Sequence, residues 1–167
     1  MRVSLLRPVD LESLAPGRLF LSAMPGRTQP LAWFAEELVH AGVHQVVCLA
    51  DLAVSPEYAH AVATGAFPVP VRRFPIPDFG VPADEAGFAS LVREIAGWLR
   101  AGQHVVLHCG AGIGRTGLTA IGVLIALGLS LAEAERRVAA AGSRVETPRQ
   151  WEFVRRFAER VDIEGSP

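Results

Sequence analysis

Three glycines, Gly110, Gly112 and Gly114, stand between a short apolar segment at 104–108 and a longer one at 115–127. The short segment has the length of a buried strand, and the longer one has the length and spacing of a helix. A strand that turns through glycine straight into a helix buries both segments only if the helix lies back on a sheet. This feature therefore predicts a layered α/β fold. The rest of the chain agrees with it. Strand-like runs at 18–22, 45–49 and 69–74 alternate with helical spacing at 30–40, 56–64, 83–100, 131–141 and 148–161. The expected architecture is a central, mainly parallel sheet with helices on both faces. A length of 167 residues fits one domain, 1–167, with no second core.

Local signals mark the element ends. Gly42 and Gly102 stop the helices before them, Ser55 opens the helix at 56–64, and Ser130 with Glu133 forms a capping box for the helix at 131–141. The helix at 83–100 is amphipathic, with Phe88, Leu91, Val92, Ile95, Trp98 and Leu99 on one side, and Asp84 and Glu85 suit its N-terminal dipole. Between strand and helix, the segment 75–82 carries Pro75, Pro77 and Pro82, which remove donors and set the backbone, so it is expected as a stiff surface loop. Residues 1–10 hold one short apolar patch, to which no element is assigned, and no secretory cleavage pattern is read there. The most apolar stretch, 118–131, is shorter than the roughly 18 to 20 residues of a membrane span and reads as a buried helix. A cytoplasmic location is expected, with disorder confined to the last few residues, 164–167.

Charge narrows the chemistry. Sixteen basic residues oppose seventeen acidic ones for a formal net charge of −1, so no broad positive field is present to attract nucleic acid or an anionic membrane. All of the basic residues are arginine. Without lysine there is no Schiff base, no pyridoxal anchor and no Walker A loop. Any anion must be held by arginine and backbone amides. The stretch His108-Cys109-Gly110-Ala111-Gly112-Ile113-Gly114-Arg115-Thr116-Gly117 supplies both. Its glycines allow successive N–H groups to face one concavity, and a helix N-terminus adds positive potential at the same place. The same field favours the anionic form of a cysteine at its base, Cys109. Arg115 is placed to fold back and grip two phosphate oxygens with its planar fork. A nucleophile, an amide cradle and a clamp on one loop describe covalent phosphoryl transfer.

Rival readings exist for the same residues. Residues 112–117 match a dinucleotide fingerprint, with Glu133 about twenty residues on, as such a fingerprint requires of a strand-end acid. Cys48 is expected to be a buried apolar cysteine, with oxidation to a pair with Cys109 as the alternative. Asp51 is an alternative acid to Asp78. Arg72, Arg73 and Arg149 are candidates for substrate contact. His40, His44, His60 and His104 have no metal-ligand spacing, and no metal or other cofactor is expected.

The stretch His108-Cys109, five residues, Arg115-Thr116 resembles the signature of the cysteine-dependent tyrosine and dual-specificity phosphatases. Pro77-Asp78-Phe79-Gly80-Val81-Pro82 looks like their acid loop, with Asp78 thirty-one residues before the cysteine, as in compact dual-specificity members. Thr147-Pro148-Arg149-Gln150-Trp151-Glu152-Phe153-Val154 is similar to their glutamine segment, and Leu21-Ser22-Ala23-Met24-Pro25 completes the match. Ile76 stands where the tyrosine-specific enzymes carry tryptophan, Tyr58 is the only tyrosine, and their amino-terminal extension has no counterpart. A compact, atypical dual-specificity phosphatase is therefore the closer resemblance.

The resemblance implies a single-domain tyrosine/dual-specificity phosphatase-like fold, with its signature loop at 108–117, acid loop at 75–82 and glutamine segment at 147–154. It implies that Cys109 attacks phosphorus, and that Arg115 with the amides of Gly110, Ala111, Gly112, Ile113 and Gly114 holds the oxygens. Asp78 would serve as acid and then base, Thr116 would bond the cysteine sulfur, Gln150 would position water, and His108 would organise the loop. The expected activity is hydrolysis of phosphotyrosine first, and of phosphoserine or phosphothreonine second, in proteins or small phosphomonoesters, by a monomer without nucleic-acid or membrane partners. A phosphoprotein-binding pseudophosphatase is the alternative. The uncharged loop 110–114 lacks the lysines of the phosphoinositide enzymes. The arginine-only, alanine- and glycine-rich composition points to a GC-rich, bacterial genome.

Overall fold

The computed structural model describes residues 3–164. The disorder expected for residues 165–167 lies outside the described residues, while Glu164 ends the last helix. In chain order the elements are β1 (Arg7–Val9), β2 (Leu19–Ser22), α1 (Leu31–His40), β3 (Gln45–Cys48), α2 (Pro56–Thr64), β4 (Val71–Arg73), α3 (Glu85–Arg100), β5 (Val105–His108), α4 (Gly114–Ala126), α5 (Leu131–Ala140) and α6 (Pro148–Glu164). A single 3-10 turn at Leu52–Val54 precedes α2.

The sheet has the order β1-β2-β5-β3-β4. The pairings β2–β5, β5–β3 and β3–β4 are parallel, and β1 adds an antiparallel edge, Arg7 opposite Leu21 and Val9 opposite Leu19. The expected mainly parallel sheet is thus present as a mixed one. The edge strand is the element that the sequence reading left unassigned, because three residues carry too little period to be recognised. Alternation along the inner strands divides the core into two layers. Leu19, Leu21, Val47, Val105 and Leu107 point to the side of α3, α4, α5 and α6, whereas Phe20, Val46, Cys48 and Val106 meet α1 and α2.

Helix α4 runs through the larger layer, walled by α3, α5, α6 and β5, and every residue from Gly114 to Ile125 is buried. That accounts for the unbroken apolar character of its sequence. No helix of the described residues is long and apolar enough to cross a membrane. The buried side of α3 consists of Phe88, Leu91, Val92, Ile95, Ala96 and Leu99, with Trp98 partly covered at its margin. Phe88 meets Phe153 and Phe157 of α6 edge-on, at ring separations of 5.1 and 5.6 Å, and so locks the two helices together.

The caps follow expectation only in part. The Asp84 carboxylate accepts from Gly87 N–H at 2.8 Å, and Ser130 Oγ accepts from Glu133 N–H at 3.2 Å. The carboxylate of Glu133 is drawn to Arg136 and Arg137 instead of closing the box. Ser55 makes no side-chain cap bond, and α2 starts on Pro56, whose ring already has the helical φ.

Candidate active site

The central strand β5 ends at His108, and the chain passes through residues 109–113 before α4 begins at Gly114. Position follows from topology, because β5 lies between strands that come earlier in the chain and its end opens into the crevice of the sheet. The turn is held by its carbonyl groups. Gly110 O accepts from Met24 N–H at 2.9 Å, and Ile113 O accepts from Arg144 N–H at 3.1 Å and Gly117 N–H at 2.9 Å. Gly112 O accepts from Arg7 Nη2 and Ser143 Oγ, both at 2.6 Å. None of the N–H groups from Gly110 to Arg115 has an acceptor among the described residues. With the carbonyls tied outward, these donors are left for an anion.

Only glycine fits at position 112. Its φ is +76°, and a methyl group built there would stand 2.4 Å from the carbonyl oxygen of Ser22. Gly117 is needed for a different reason. A methyl group on it would lie 2.6 Å from Arg144 N, inside the backbone of the α5–α6 connection.

Cys109 lies at the base of this turn, 2% exposed, and accepts a hydrogen bond from Thr116 Oγ1 at 3.0 Å. One helical turn along, the hydroxyl is thus aimed at the sulfur. Behind it sits His108, fully buried. Its Nδ1 donates to Cys109 O at 3.2 Å, which leaves Nε2 to accept from the Tyr58 hydroxyl at 2.9 Å. Burial, with Arg115 nearby, lowers the His108 pKa to about 4 against the pull of its carbonyl bond, so the ring is neutral at pH 7. Burial also pushes Tyr58 upward, so the phenol keeps its proton. Tyr58 of α2 and Arg7 of β1 are loop-holding residues that sequence reasoning missed. The signal for the first was its standing as the only tyrosine. The second sits in a strand too short to announce itself.

Arg115 is 9% exposed and curls back over the turn. Its Nη1 donates to Ile76 O at 3.2 Å, and its Nη2 stands 3.3 Å from Asp78 Oδ1. The clamp and the acidic side chain are therefore brought together from opposite sides of the cleft. Ile76 is 2% exposed and donates its N–H to Leu49 O, so this residue anchors the start of the acid loop in the core. Beyond it the tip of the loop is exposed. Asp78 is 69% exposed at its side chain, and Phe79 is exposed with φ +57°, a conformation uncommon outside glycine and costly for an aromatic residue.

Gln150 is fully buried on the first turn of α6. Its Nε2 donates to Gly80 O at 3.1 Å and its Oε1 accepts from Glu146 N–H at 2.7 Å, so the amide ties the acid loop to the α5–α6 connection. The cleft above the turn has a volume of about 540 Å³ and is walled by Ala50, Asp51, Val54, Pro75, Ile76, Pro77, Asp78, Gly110 and Arg115. A larger cavity, about 700 Å³, lies between β2 and α1 and includes none of these residues.

The remaining candidates separate clearly. Asp51 lines the cleft but spends Oδ1 on Ala53 N–H. Arg72 pairs with Glu94 on the surface, at 3.5 Å, and Arg149 borders a neighbouring hollow beside Pro77 and Gly80. His44 and His104 each accept a backbone N–H on Nδ1, from His104 and Arg18 respectively. No group of three or more metal-binding side chains occurs among the described residues. Cys48 and Cys109 are both free thiols in different core layers, and burial pushes Cys48 up to about 11. The dinucleotide reading needs Glu133 at a strand end, and Glu133 lies on α5.

A family model described as "Polymorphic toxin system, DSP-PTPase phosphatase" matches residues 22–129. No curated protein matches the sequence significantly. Among solved structures, the kinase-associated phosphatase KAP with its catalytic cysteine replaced by serine is similar at 19% identity, covering 97% of this chain and 98% of that one, with a TM-score of 0.81. The active form of Tk-PTP is similar at 29% identity over 92% of this chain and 97% of that one, with a TM-score of 0.69. PTPMT1 in complex with PI(5)P is similar at 22% identity over 93% of this chain and 98% of that one, with a TM-score of 0.71. At their identities, KAP and PTPMT1 speak to the fold alone.

Proposed function

Because the chain belongs to the DSP-PTPase phosphatase family of polymorphic toxin systems, we propose that it hydrolyses phosphomonoesters through a cysteinyl phosphate on Cys109. The observation that carries this reading is the unpartnered run of N–H groups from Gly110 to Arg115, closed over by Arg115 and centred on a buried thiol. Such a cradle fits the three non-bridging oxygens of a phosphoryl group and stabilises the charge that builds on them during transfer.

In the first step, Cys109 Sγ bonds to phosphorus as the bond to the leaving oxygen breaks, and Asp78 passes its proton to that oxygen. In the second, water attacks the phosphocysteine, Asp78 takes back a proton, and the thiolate leaves with Thr116 Oγ1 donating to it. His108 and Tyr58 keep the turn in shape. Gln150 orients the water once its amide releases Gly80 O.

The substrate class that we propose is phosphotyrosine in proteins, with phosphoserine and phosphothreonine second. The uncharged loop 110–114 argues against inositol lipids, and a PI(5)P arm in the substrate panel checks this. The single sheet and its two core layers support treating residues 1–167 as one phosphatase domain. The family description and the arginine-only composition both favour a bacterial source.

The test is hydrolysis of an aryl phosphate in the presence of a chelator. Wild type should turn over many times, and Cys109→Ser should fall to the buffer background while a thermal melt stays cooperative. Equal turnover by the two proteins removes Cys109 as the nucleophile, and none by wild type removes the enzyme reading and leaves a phosphate-binding module.

A further inference from the structure

Four arginine side chains, Arg27, Arg73, Arg144 and Arg149, make no ion pair, hydrogen bond or ring stack among the described residues. Most arginines away from the site are engaged, Arg72 by Glu94, Arg136 and Arg137 by Glu133, Arg155 by Glu152 and Glu159, and Arg156 and Arg160 by Glu85. In a chain of net charge −1, the uncompensated positive charge is thus concentrated on loops and element ends, and one of these residues stands directly at the phosphate turn. A methyl group built on Gly110 would lie 3.2 Å from Arg115 Nη2 and 3.4 Å from Arg27 Nη1. Two guanidinium groups therefore flank the first residue after Cys109.

They differ in what balances them. Arg115 has Asp78 at 3.3 Å and the Ile76 carbonyl, whereas Arg27 has neither a carboxylate nor a carbonyl. Its place is nevertheless built into the fold. Arg27 N–H donates to Met24 O at 3.1 Å, closing a turn whose Met24 N–H is itself bonded to Gly110 O at 2.9 Å. The turn that carries Arg27 is thus hydrogen-bonded to the phosphate loop. Two like charges beside one glycine repel each other until an anion joins them, and one phosphoryl group held by the amides and Arg115 leaves the fork of Arg27 free for another.

We propose that Arg27 forms a subsite for a second anionic group, so that the protein selects phosphopeptides bearing a carboxylate or a second phosphate beside the phosphoresidue. This rests on the phosphomonoester reading of the neighbouring cradle. Of the residues that wall the cleft, Ala50, Val54, Pro75, Ile76 and Pro77 are apolar and Asp51 and Asp78 are acidic, so none of them offers an anion a partner, and the uncompensated charge beside Gly110 is that of Arg27.

The experiment is calorimetric titration of full-length Cys109→Ser with three phosphotyrosine peptides of one length, flanked by alanine, by glutamate or by a phosphothreonine. The expected result is roughly tenfold tighter binding of both anionic peptides than of the alanine peptide, as for a charge pair at an interface. A larger gain for the phosphothreonine peptide identifies a phosphate site, and an equal gain identifies a carboxylate site. The preference should vanish in the added variant Arg27→Ala, survive in part in Arg27→Lys, and turn toward lysine-flanked peptides in Arg27→Glu. A preference that persists in Arg27→Ala, or one absent from the start, overturns the subsite. So does selective binding of PI(5)P vesicles over every peptide. If no peptide binds, the subsite is overturned together with the cradle reading, and turnover of the alanine peptide by wild type tells the two failures apart.

Discussion

The phosphate loop and the acid loop face each other across one cleft and are held in opposite ways. Residues 108–117 are buried or half-buried except for Ala111, and partners from β1, α2 and the connections after β2 and α5 converge on them. The acid loop is anchored at Ile76 and braced by Gln150 through Gly80, but its working residue, Asp78, is largely exposed and touches the site only through Arg115. The difference teaches a division of labour. A cradle for charge has to be rigid before the substrate arrives, since preorganised dipoles need no reorganisation during reaction. An acid that must reach a leaving oxygen and then a water gains from a segment held by few contacts.

If that contrast is right, substitutions in the two loops affect different quantities. The largest effect is expected for Gly112→Ala, which places a methyl group against Ser22 O at a positive φ. It should cost about 3 kcal/mol of stability in urea denaturation and abolish turnover at the same time. Retention of stability with loss of activity would break the view that the loop is part of the core.

Acid should act on the same side of the comparison. His108 has its pKa lowered to about 4 in the folded state, so between pH 6.5 and 4 the unfolded chain binds a proton that the folded chain refuses. Stability then falls as pH drops through that window, by about 3 kcal/mol in all, and is unaffected by this group above it. Burial lowers His104 as well, which adds a loss of the same sign below pH 6.5. Chemical denaturation at pH 7, 6 and 5 measures the slope, and His108→Asn should reduce it.

The smallest effect on the fold belongs to Asp78→Asn. Turnover of a phosphate with a poor, alkoxide-like leaving group should fall about a hundredfold, while a nitrophenyl phosphate loses far less and stability stays within about 0.5 kcal/mol of wild type. An equal loss with both substrates removes Asp78 as the acid and returns attention to Asp51 on the same wall.

Legibility in the sequence followed the range of the interactions. The strand–turn–helix unit at 104–127, the proline-stiffened loop at 75–82 and the amphipathic face of α3 were readable because each depends on near neighbours in the chain. The edge strand Arg7–Val9 was not, since it exists only by pairing with β2. Ser55 looked like a cap and makes no cap bond. The bond from the Gln150 amide to the acid loop was not legible either, since it depends on how α6 packs.

Local chemistry alone determined that this chain carries a cysteine at the foot of a glycine turn, an arginine six residues on, and no lysine to do that arginine's work. The tertiary structure alone decided what turns the carbonyls of that loop away and leaves its amides open. Arg7, Tyr58 and Ser143 come from 31 to 105 residues away in sequence to do so. The same holds for Arg27, which no motif marks and which reaches Gly110 through a turn hydrogen-bonded to the loop. The physical reason is that hydrogen bonds and charge depend on distance in space, whereas sequence periodicity records only which residues are near along the chain.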